Sequence, residues 1–273
     1  MKIGISTLIA KPGQGLKVLP LVSEYFKNLE LTFSQYFPFE DETFLKNLSN
    51  LFKEKKFKIL SIHMPTKRPV IWGDKNFIPL DIASSDNWVR NWSIREIEKA
   101  VLVYLKLSKK DKFDDEYLVI HCGKKENEDS VKRCVDSIFE IKEYLSPFRV
   151  KILIENTLDS SVGKNLEELV HIKDVTDVGI CFDTGHGYLA NDLSKYDFFD
   201  KFTSIHLNDT KGTLDEHLVP GEGVIDYRRF IEEIKRKGFD GNIIFEIYPY
   251  KDVREILKEL KKIEKEILDT FSK

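Results

Sequence analysis

ICFDTGH, residues 180–186, is a short apolar run that ends in Asp183 and is followed three residues later by His186. Five other stretches have the same form, because each is largely apolar and ends in a histidine or a glutamate: LSIH (60–63), LVIH (118–121), ILIE (152–155), TSIH (203–206) and IIFE (243–246). Short apolar runs are typical of strands that are covered on both faces. A polar side chain where such a strand ends faces a cavity, so the pattern predicts buried strands that deliver polar groups to one opening.

The rest of the chain alternates strand-like and helix-like segments. Helical periods separate eight candidate strands, which are 2–7, 29–33, 58–64, 117–122, 151–156, 178–183, 203–208 and 242–247. This alternation favours an α/β fold, a single (β/α)8 TIM barrel over residues 1–273 with its site at the C-terminal strand ends. The sixth connection, LSKYDFFDKF, has the weakest helical pattern. An open doubly wound sheet is the alternative, but ISTLIAKPGQG after the first strand lacks the glycine-rich phosphate turn of that fold.

Composition limits the class of protein. The 273 residues carry a formal net charge of -3 at pH 7, which gives no global attraction to nucleic acid but leaves room for a local basic rim. Three cysteines without a CxxC spacing indicate neither a disulfide framework nor a zinc ribbon. The start, MKIGIST, lacks the apolar core of a signal peptide, and no apolar run approaches the ~20 residues of a membrane span. We therefore expect a cytoplasmic monomer without membrane partners.

Nine residues of metal-ligand type lie at or just after predicted strand ends: His63, His121, Glu155, Asp183, His186, His206, Asp215, His217 and Glu246. A lone histidine after an apolar run is more often a core residue, and mid-helix His171 is interpreted as structural. Glu155 and Glu246 are harder to explain without a cation, since a buried carboxylate needs a partner. Asp215 and His217 alternate by two and so face one side of an extended segment. Together the nine predict a site for more than one divalent ion, with zinc favoured and manganese or iron as alternatives.

Two long loops follow predicted strand ends and would overhang this site. The first, from Pro65 to about Trp88, carries Lys67, Arg68 and Trp72, which are candidate contacts to a phosphate and to a base or sugar. An ordinary loop with solvated charges is an equally good interpretation of it. The second loop, residues 209–227, contains DEHLVPGEG with two of the candidate ligands.

CFDTGH, HLND (206–209) and DEHLVPGEG (215–223) resemble the endonuclease IV branch, AP endonuclease family 2, of the xylose-isomerase-like barrels. The resemblance runs from the first strand to the final helix. It implies three metal ions, usually zinc, in one pocket. The implied ligands are His63, His121 and Glu155 for one ion, Glu155, Asp183, His206 and Glu246 for a second, and His186, Asp215 and His217 for the third.

The resemblance also implies phosphodiester hydrolysis, with DNA cleaved 5′ to an abasic site. Glu155 would then orient the attacking water between two ions. Two departures concern the damaged-DNA contacts. Thr66 stands in HMPTKRPVIWG where the branch carries an aromatic residue, and FSQYFPFED lacks its glycine-rich stretch. A small phosphate ester is an alternative substrate for the same site.

A sugar isomerase or epimerase of the same superfamily is the main rival. Such enzymes hold one ion with the counterparts of Glu155, Asp183, His206 and Glu246, and the two glutamates move a proton beside a carbonyl. His63, His121, Asp215 and His217 would not be needed together for one ion, which favours the hydrolase. A third hypothesis is a catalytically idle barrel, but clustered carboxylates without a cation are costly to keep.

Overall fold

The computed structural model describes residues 1–71, 74–158 and 160–272. Eight parallel strands close into a barrel: β1 (Lys2–Ser6), β2 (Asn28–Thr32), β3 (Lys58–His63), β6 (Tyr117–His121), β7 (Lys151–Glu155), β8 (Gly179–Asp183), β9 (Phe202–Leu207) and β10 (Asn242–Phe245). The last strand pairs with the first, with Ile3 opposite Ile243 and Ile5 opposite Phe245. The predicted (β/α)8 barrel is confirmed.

Helices cover the outside of the barrel. Their bounds are α1 (Gly15–Val22), α2 (Glu42–Lys55), α3 (Asn87–Ser108), α4 (Ser130–Leu145), α5 (Leu166–Thr176), α6 (Thr184–Leu189), α7 (Tyr227–Arg236) and α8 (Val253–Ser272). Side-chain caps start several of them because the first N–H groups of a helix lack internal partners. Asp41 accepts from the N–H of Phe44 at 2.9 Å, and Asn165 accepts from that of Glu168 at 2.9 Å.

Two connections depart from the regular pattern. The sixth contains only the six-residue α6 and a 3-10 segment, Tyr196–Lys201, in agreement with its weak helical pattern. The loop after β3 folds into a small antiparallel hairpin of β4 (Lys67–Arg68) and β5 (Ile78–Pro79), which the sequence did not predict. Across the described ranges, none of the helices combines the length and apolar character that crossing a bilayer requires.

Candidate metal centre

The strand ends bring the predicted ligands to one opening. Six of the nine come directly from the barrel: His63, His121, Glu155 and Asp183 end β3, β6, β7 and β8, His206 is next to last in β9, and Glu246 follows β10. Because the strands are parallel, their carboxyl ends share one face of the barrel. A cavity of about 560 Å³ opens at this face.

The other three predicted ligands come from segments beyond strand ends. Asp183 caps α6 by accepting from the N–H of His186 at 2.8 Å, which fixes the turn that places this histidine. Asp215 and His217 lie in the long loop after β9. His217 has a φ of 47°, in the left-handed region that bulky residues rarely adopt, so the surrounding loop must hold it there.

Buried Asp209 organises that loop. Its two carboxylate oxygens accept four backbone N–H groups, from Thr210, Gly221, Gly223 and Ile225, at 2.8 to 3.0 Å. A Cβ on Gly223 would lie 2.2 Å from the carbonyl oxygen of Thr210, so this close approach needs glycine. HLND and DEHLVPGEG are therefore one structural unit, in which the aspartate of the first motif shapes the loop that presents the second.

Four buried side chains form a group that we call the deep cluster: Glu155, Asp183, His206 and Glu246. Each offers one ligand atom, and these atoms all lie within 4.8 Å of one another. His206 Nδ1 is 3.3 Å from Glu155 Oε1 and 3.0 Å from Glu246 Oε2. Asp183 is held in place by Asn208, whose Nδ2 donates to Asp183 Oδ2 at 2.6 Å.

The outer cluster consists of His186, Asp215 and His217, whose ligand atoms also lie within 4.8 Å of one another. Asp215 Oδ2 is 3.3 Å from His186 Nε2 and 3.2 Å from His217 Nε2. The Asp215 side chain is 23% exposed, whereas those of the two histidines are 8% and 4% exposed. This cluster therefore faces the cavity more openly than the deep cluster does.

Glu155 also joins two further histidines to the deep cluster. Its Oε2 is 2.9 Å from His63 Nε2 and 3.2 Å from His121 Nε2. His63, Glu155 and His206 also form a compact group, with ligand atoms within 4.8 Å of one another. His121 approaches from the cavity side with a side chain 24% exposed and also contacts the ring of His63 edge-on, with the ring centroids 5.1 Å apart.

Second partners fix the orientation of the imidazoles. Three histidines donate Nδ1–H to a main-chain carbonyl: His63 to Met64 at 2.7 Å, His186 to Asn156 at 2.9 Å and His217 to Glu246 at 2.9 Å. A neutral imidazole that donates from one nitrogen presents a lone pair on the other. Each Nε2 is thereby turned toward a carboxylate of the clusters, the arrangement usual for metal-ligating histidines.

His206 is oriented differently, by a buried carboxylate that the sequence analysis missed. Its Nε2 donates to Glu30 Oε2 at 3.0 Å, which leaves Nδ1 for the deep cluster. Ser61 Oγ donates to the same oxygen at 2.8 Å. Glu30 lies in the middle of β2 and is fully buried. A glutamate inside the apolar stretch LELTF was the available sequence signal, since a buried charge requires a partner.

The electrostatics show how strongly these groups depend on one another. Burial would lower the pKa of His63, but Glu155 outweighs it and raises the pKa to about 9. Burial also opposes charge on His217, yet Asp215 and Glu246 raise its pKa to about 9. For Glu155, burial works against ionisation, but the neighbouring imidazoles hold its pKa well below the usual range. Burial raises the pKa of Asp183.

The donor set fits divalent metal. Buried carboxylates here meet imidazoles instead of lysine or arginine, and an imidazole can release its proton to become a ligand. The histidine orientations present free nitrogens to the same points as the carboxylate oxygens. Histidine nitrogen with carboxylate oxygen in these groups suits zinc and also manganese or iron. The clusters therefore support a metal centre.

Comparison with known families agrees with this architecture. Residues 21–266 match the model of the xylose isomerase-like TIM barrels. The chain belongs to this family. The resemblance in the sequence motifs is thus confirmed, and members of this superfamily are enzymes, with endonuclease, isomerase and epimerase names among the matches.

The individual relatives of this chain carry different names. An uncharacterized protein of Methanocaldococcus jannaschii is 27% identical, over 96% of this chain and 90% of the relative. A probable endonuclease 4 of Protochlamydia amoebophila is 34% identical over 42% of this chain, and the match spans only 50% of that relative's length. The crystal structure of a D-tagatose 3-epimerase-like protein has a TM-score of 0.78 at 26% identity, covering 100% of this chain and 98% of the other.

The predicted substrate contacts lie in different environments. Lys67 lines the cavity. Arg68 is only 2% exposed; its guanidinium donates to Glu96 at 3.2 Å and to the carbonyl of Phe37 at 2.7 Å, and lies over the ring of Phe39. The expectation for Arg68 is therefore corrected: it anchors the loop inside the protein. Trp72 lies outside the described residues.

Proposed function

We propose that this xylose isomerase-like barrel is a metal-dependent phosphodiester hydrolase that cleaves DNA 5′ to abasic sites. One observation carries the proposal: the outer cluster stands beside a complete deep cluster. Four ligands, Glu155, Asp183, His206 and Glu246, are enough for a single ion. A second set of two histidines and an aspartate exceeds the ligands that one ion needs, whereas a phosphodiester needs charge neutralised at several oxygens.

Three groups of donors would hold the ions. The deep cluster would bind one, the outer cluster another, and Glu155 Oε2 with His63 and His121 a third. Zinc is the preferred ion because histidines are numerous. When bound, the ions would neutralise phosphate oxygens and lower the pKa of a water near them.

The chain's own residues position the reactants. Glu155 reaches two neighbouring donor groups with its two oxygens, so it would orient a water between them, and Glu246, directly after β10, faces the same point. Lys67 lies on the cavity wall, where its ammonium meets a phosphate oxygen. The cavity of about 560 Å³ accepts an extrahelical sugar with its flanking phosphate.

Abasic DNA is the favoured substrate because the probable endonuclease 4 relative is 34% identical over the matched segment. That segment covers 42% of this chain, so the substrate is a separate proposal that depends on the proposed hydrolase activity. A small phosphate ester remains the alternative within the same chemistry.

A sugar isomerase or epimerase is the second candidate. It is favoured by the full-length similarity to the D-tagatose 3-epimerase-like protein. Glu155 and Glu246 both approach His206 Nδ1, at 3.3 and 3.0 Å, so they flank one point and can exchange a proton with a sugar carbon held there. This chemistry uses the deep cluster alone.

Metal counting and a nicking assay separate the two candidates. Protein purified without chelator is analysed for ions per chain, and a duplex with one abasic site is tested for cleavage. The hydrolase predicts close to three ions and nicking. His217→Ala removes one ion and abolishes nicking, while His171→Ala, a histidine on the outer face of α5, changes neither. The isomerase would instead be favoured by one ion per chain without nicking, together with a His217→Ala variant that keeps this ion.

A further inference from the structure

The deep cluster has a second layer of negative charge behind it. Glu30 is fully buried, and its Oε2 receives His206 Nε2 at 3.0 Å and Ser61 Oγ at 2.8 Å. Its Oε1 finds no hydrogen-bond partner within the described residues. Among the described residues, no lysine or arginine contacts this carboxylate. Its charge therefore acts on the cluster through His206.

The two clusters therefore differ in charge and burial. The deep cluster holds three carboxylates, all 5% exposed or less, with Glu30 as a fourth behind the imidazole. The outer cluster holds one carboxylate, Asp215, which is 23% exposed. Its histidines, His186 and His217, are oriented by uncharged main-chain carbonyls.

These differences all favour a higher metal affinity at the deep cluster than at the outer cluster. More carboxylates in a less polar surrounding attract a divalent cation more strongly. A carboxylate that accepts the second N–H of a ligating histidine also makes that histidine a better donor. Exposure at Asp215 gives water and chelators access to the outer cluster, which shortens the lifetime of an ion there.

We propose that Glu30 is a positioning residue that makes the deep cluster the first to fill with zinc and the last to release it, leaving the outer cluster exchangeable. Regulation follows, and this part rests on the proposed hydrolase: zinc supply sets the occupancy of the outer cluster and so switches hydrolysis on or off. The order of filling itself is independent of the reaction catalysed.

Graded chelation tests the order directly. Zinc-loaded protein is titrated with a chromophoric chelator, and zinc per chain is counted at each step for the wild type, Glu30→Gln and Asp215→Asn. Glu116→Gln is the matched control, because Glu116 is also a buried glutamate, 5% exposed, and lies before β6 at the opposite end of the barrel.

The wild type should release zinc in separate steps. Glu30→Gln should weaken the tightest step by about 10- to 100-fold and leave the weaker steps unchanged, since it alters the partner of one ligand. Asp215→Asn should weaken a looser step and spare the tightest. Glu116→Gln should leave every step in place.

Release in one step, or a tightest step that Asp215→Asn weakens and Glu30→Gln does not, would overturn the inference. Thermal melting shows whether Glu30→Gln folds. If it does not, the wild type and Asp215→Asn together still test the order, because a tightest step that Asp215→Asn weakens would overturn it. Failure to nick DNA would count against the hydrolase without changing the order of release, so the two proposals fail separately.

Discussion

The two ends of the barrel both bury carboxylates but neutralise them in different ways. At the amino-terminal end, Glu116 accepts from the Tyr104 hydroxyl at 2.9 Å, the Asp114 N–H at 2.8 Å and the Lys110 ammonium. At the carboxyl end, the buried glutamates meet imidazoles. A lysine is a permanent countercharge near neutral pH, whereas an imidazole exchanges its proton for a metal. The first network is thus complete by itself, and the second is built to receive a ligand.

Glu155→Gln is the sharpest test of this difference and has the largest expected effect. Loss of one charge from the residue shared between donor groups should lower kcat of hydrolysis more than about 100-fold, since even partners of ligands cost 10–100-fold. Nicking rate and zinc per chain are the measurements. Near-normal cleavage by a folded variant would remove Glu155 from the centre.

The metal-free protein should lose stability as pH rises. His63 and His217 have pKa values raised from 6.5 to about 9, so their stabilisation is complete below pH 6.5 and is lost as pH approaches 9. Melting temperature should fall across this window in chelator-treated protein.

Zinc-loaded protein should show the opposite trend, because protons compete with zinc for these imidazoles, and zinc binds more tightly as pH rises. Melting curves at pH 6.5, 7.5 and 8.5, with and without zinc, give the slope of melting temperature against pH for each form. Parallel slopes in the two forms would mean that these histidines do not exchange protons for metal.

Glu116→Gln makes the same chemical change at the other end and should affect stability alone. It weakens three hydrogen bonds to a buried carboxylate, and we expect a cost of about 1–3 kcal/mol, or about 2–4 °C in Tm per kcal/mol. Zinc content and nicking should remain those of the wild type. Loss of zinc in this variant would mean that the two ends are coupled.

Lys67→Ala should have the smallest effect. Exposed charge pairs contribute up to about 1 kcal/mol, so KM for DNA should rise roughly fivefold with kcat nearly unchanged, and the difference should shrink at high salt. Lys262→Ala, on the outer face of α8, is the control. An unchanged KM in the Lys67 variant would place the substrate elsewhere in the cavity.

The barrel was predictable because its strands are short, apolar and regularly spaced. Since the strands are parallel, their polar carboxyl ends lie on one face of the barrel. Six of the nine candidate ligands were predictable for the same reason, since they lie at strand ends, whereas His186, Asp215 and His217 lie beyond strand ends and stand out through the motifs DTGH and DEH. The role of Glu30 was not, because it lies inside a strand and its partner, His206, is 176 residues away. The neighbouring Lys67 and Arg68 also look alike in sequence, yet only the β4–β5 hairpin shows that one faces the cavity and the other the interior.

The way in which the histidines are oriented has a consequence for mutational tolerance. His63, His186 and His217 are held by main-chain carbonyls, which every amino acid possesses. Substitution of Met64 therefore leaves the orienting atom in place, whereas the buried side chain of Asn156 also makes two hydrogen bonds with the backbone of Asp183. His206 depends on a side chain instead, so one substitution at Glu30 can remove its support. Random mutagenesis should thus find the centre tolerant of substitution at Met64, behind His63, and sensitive at Glu30, behind His206.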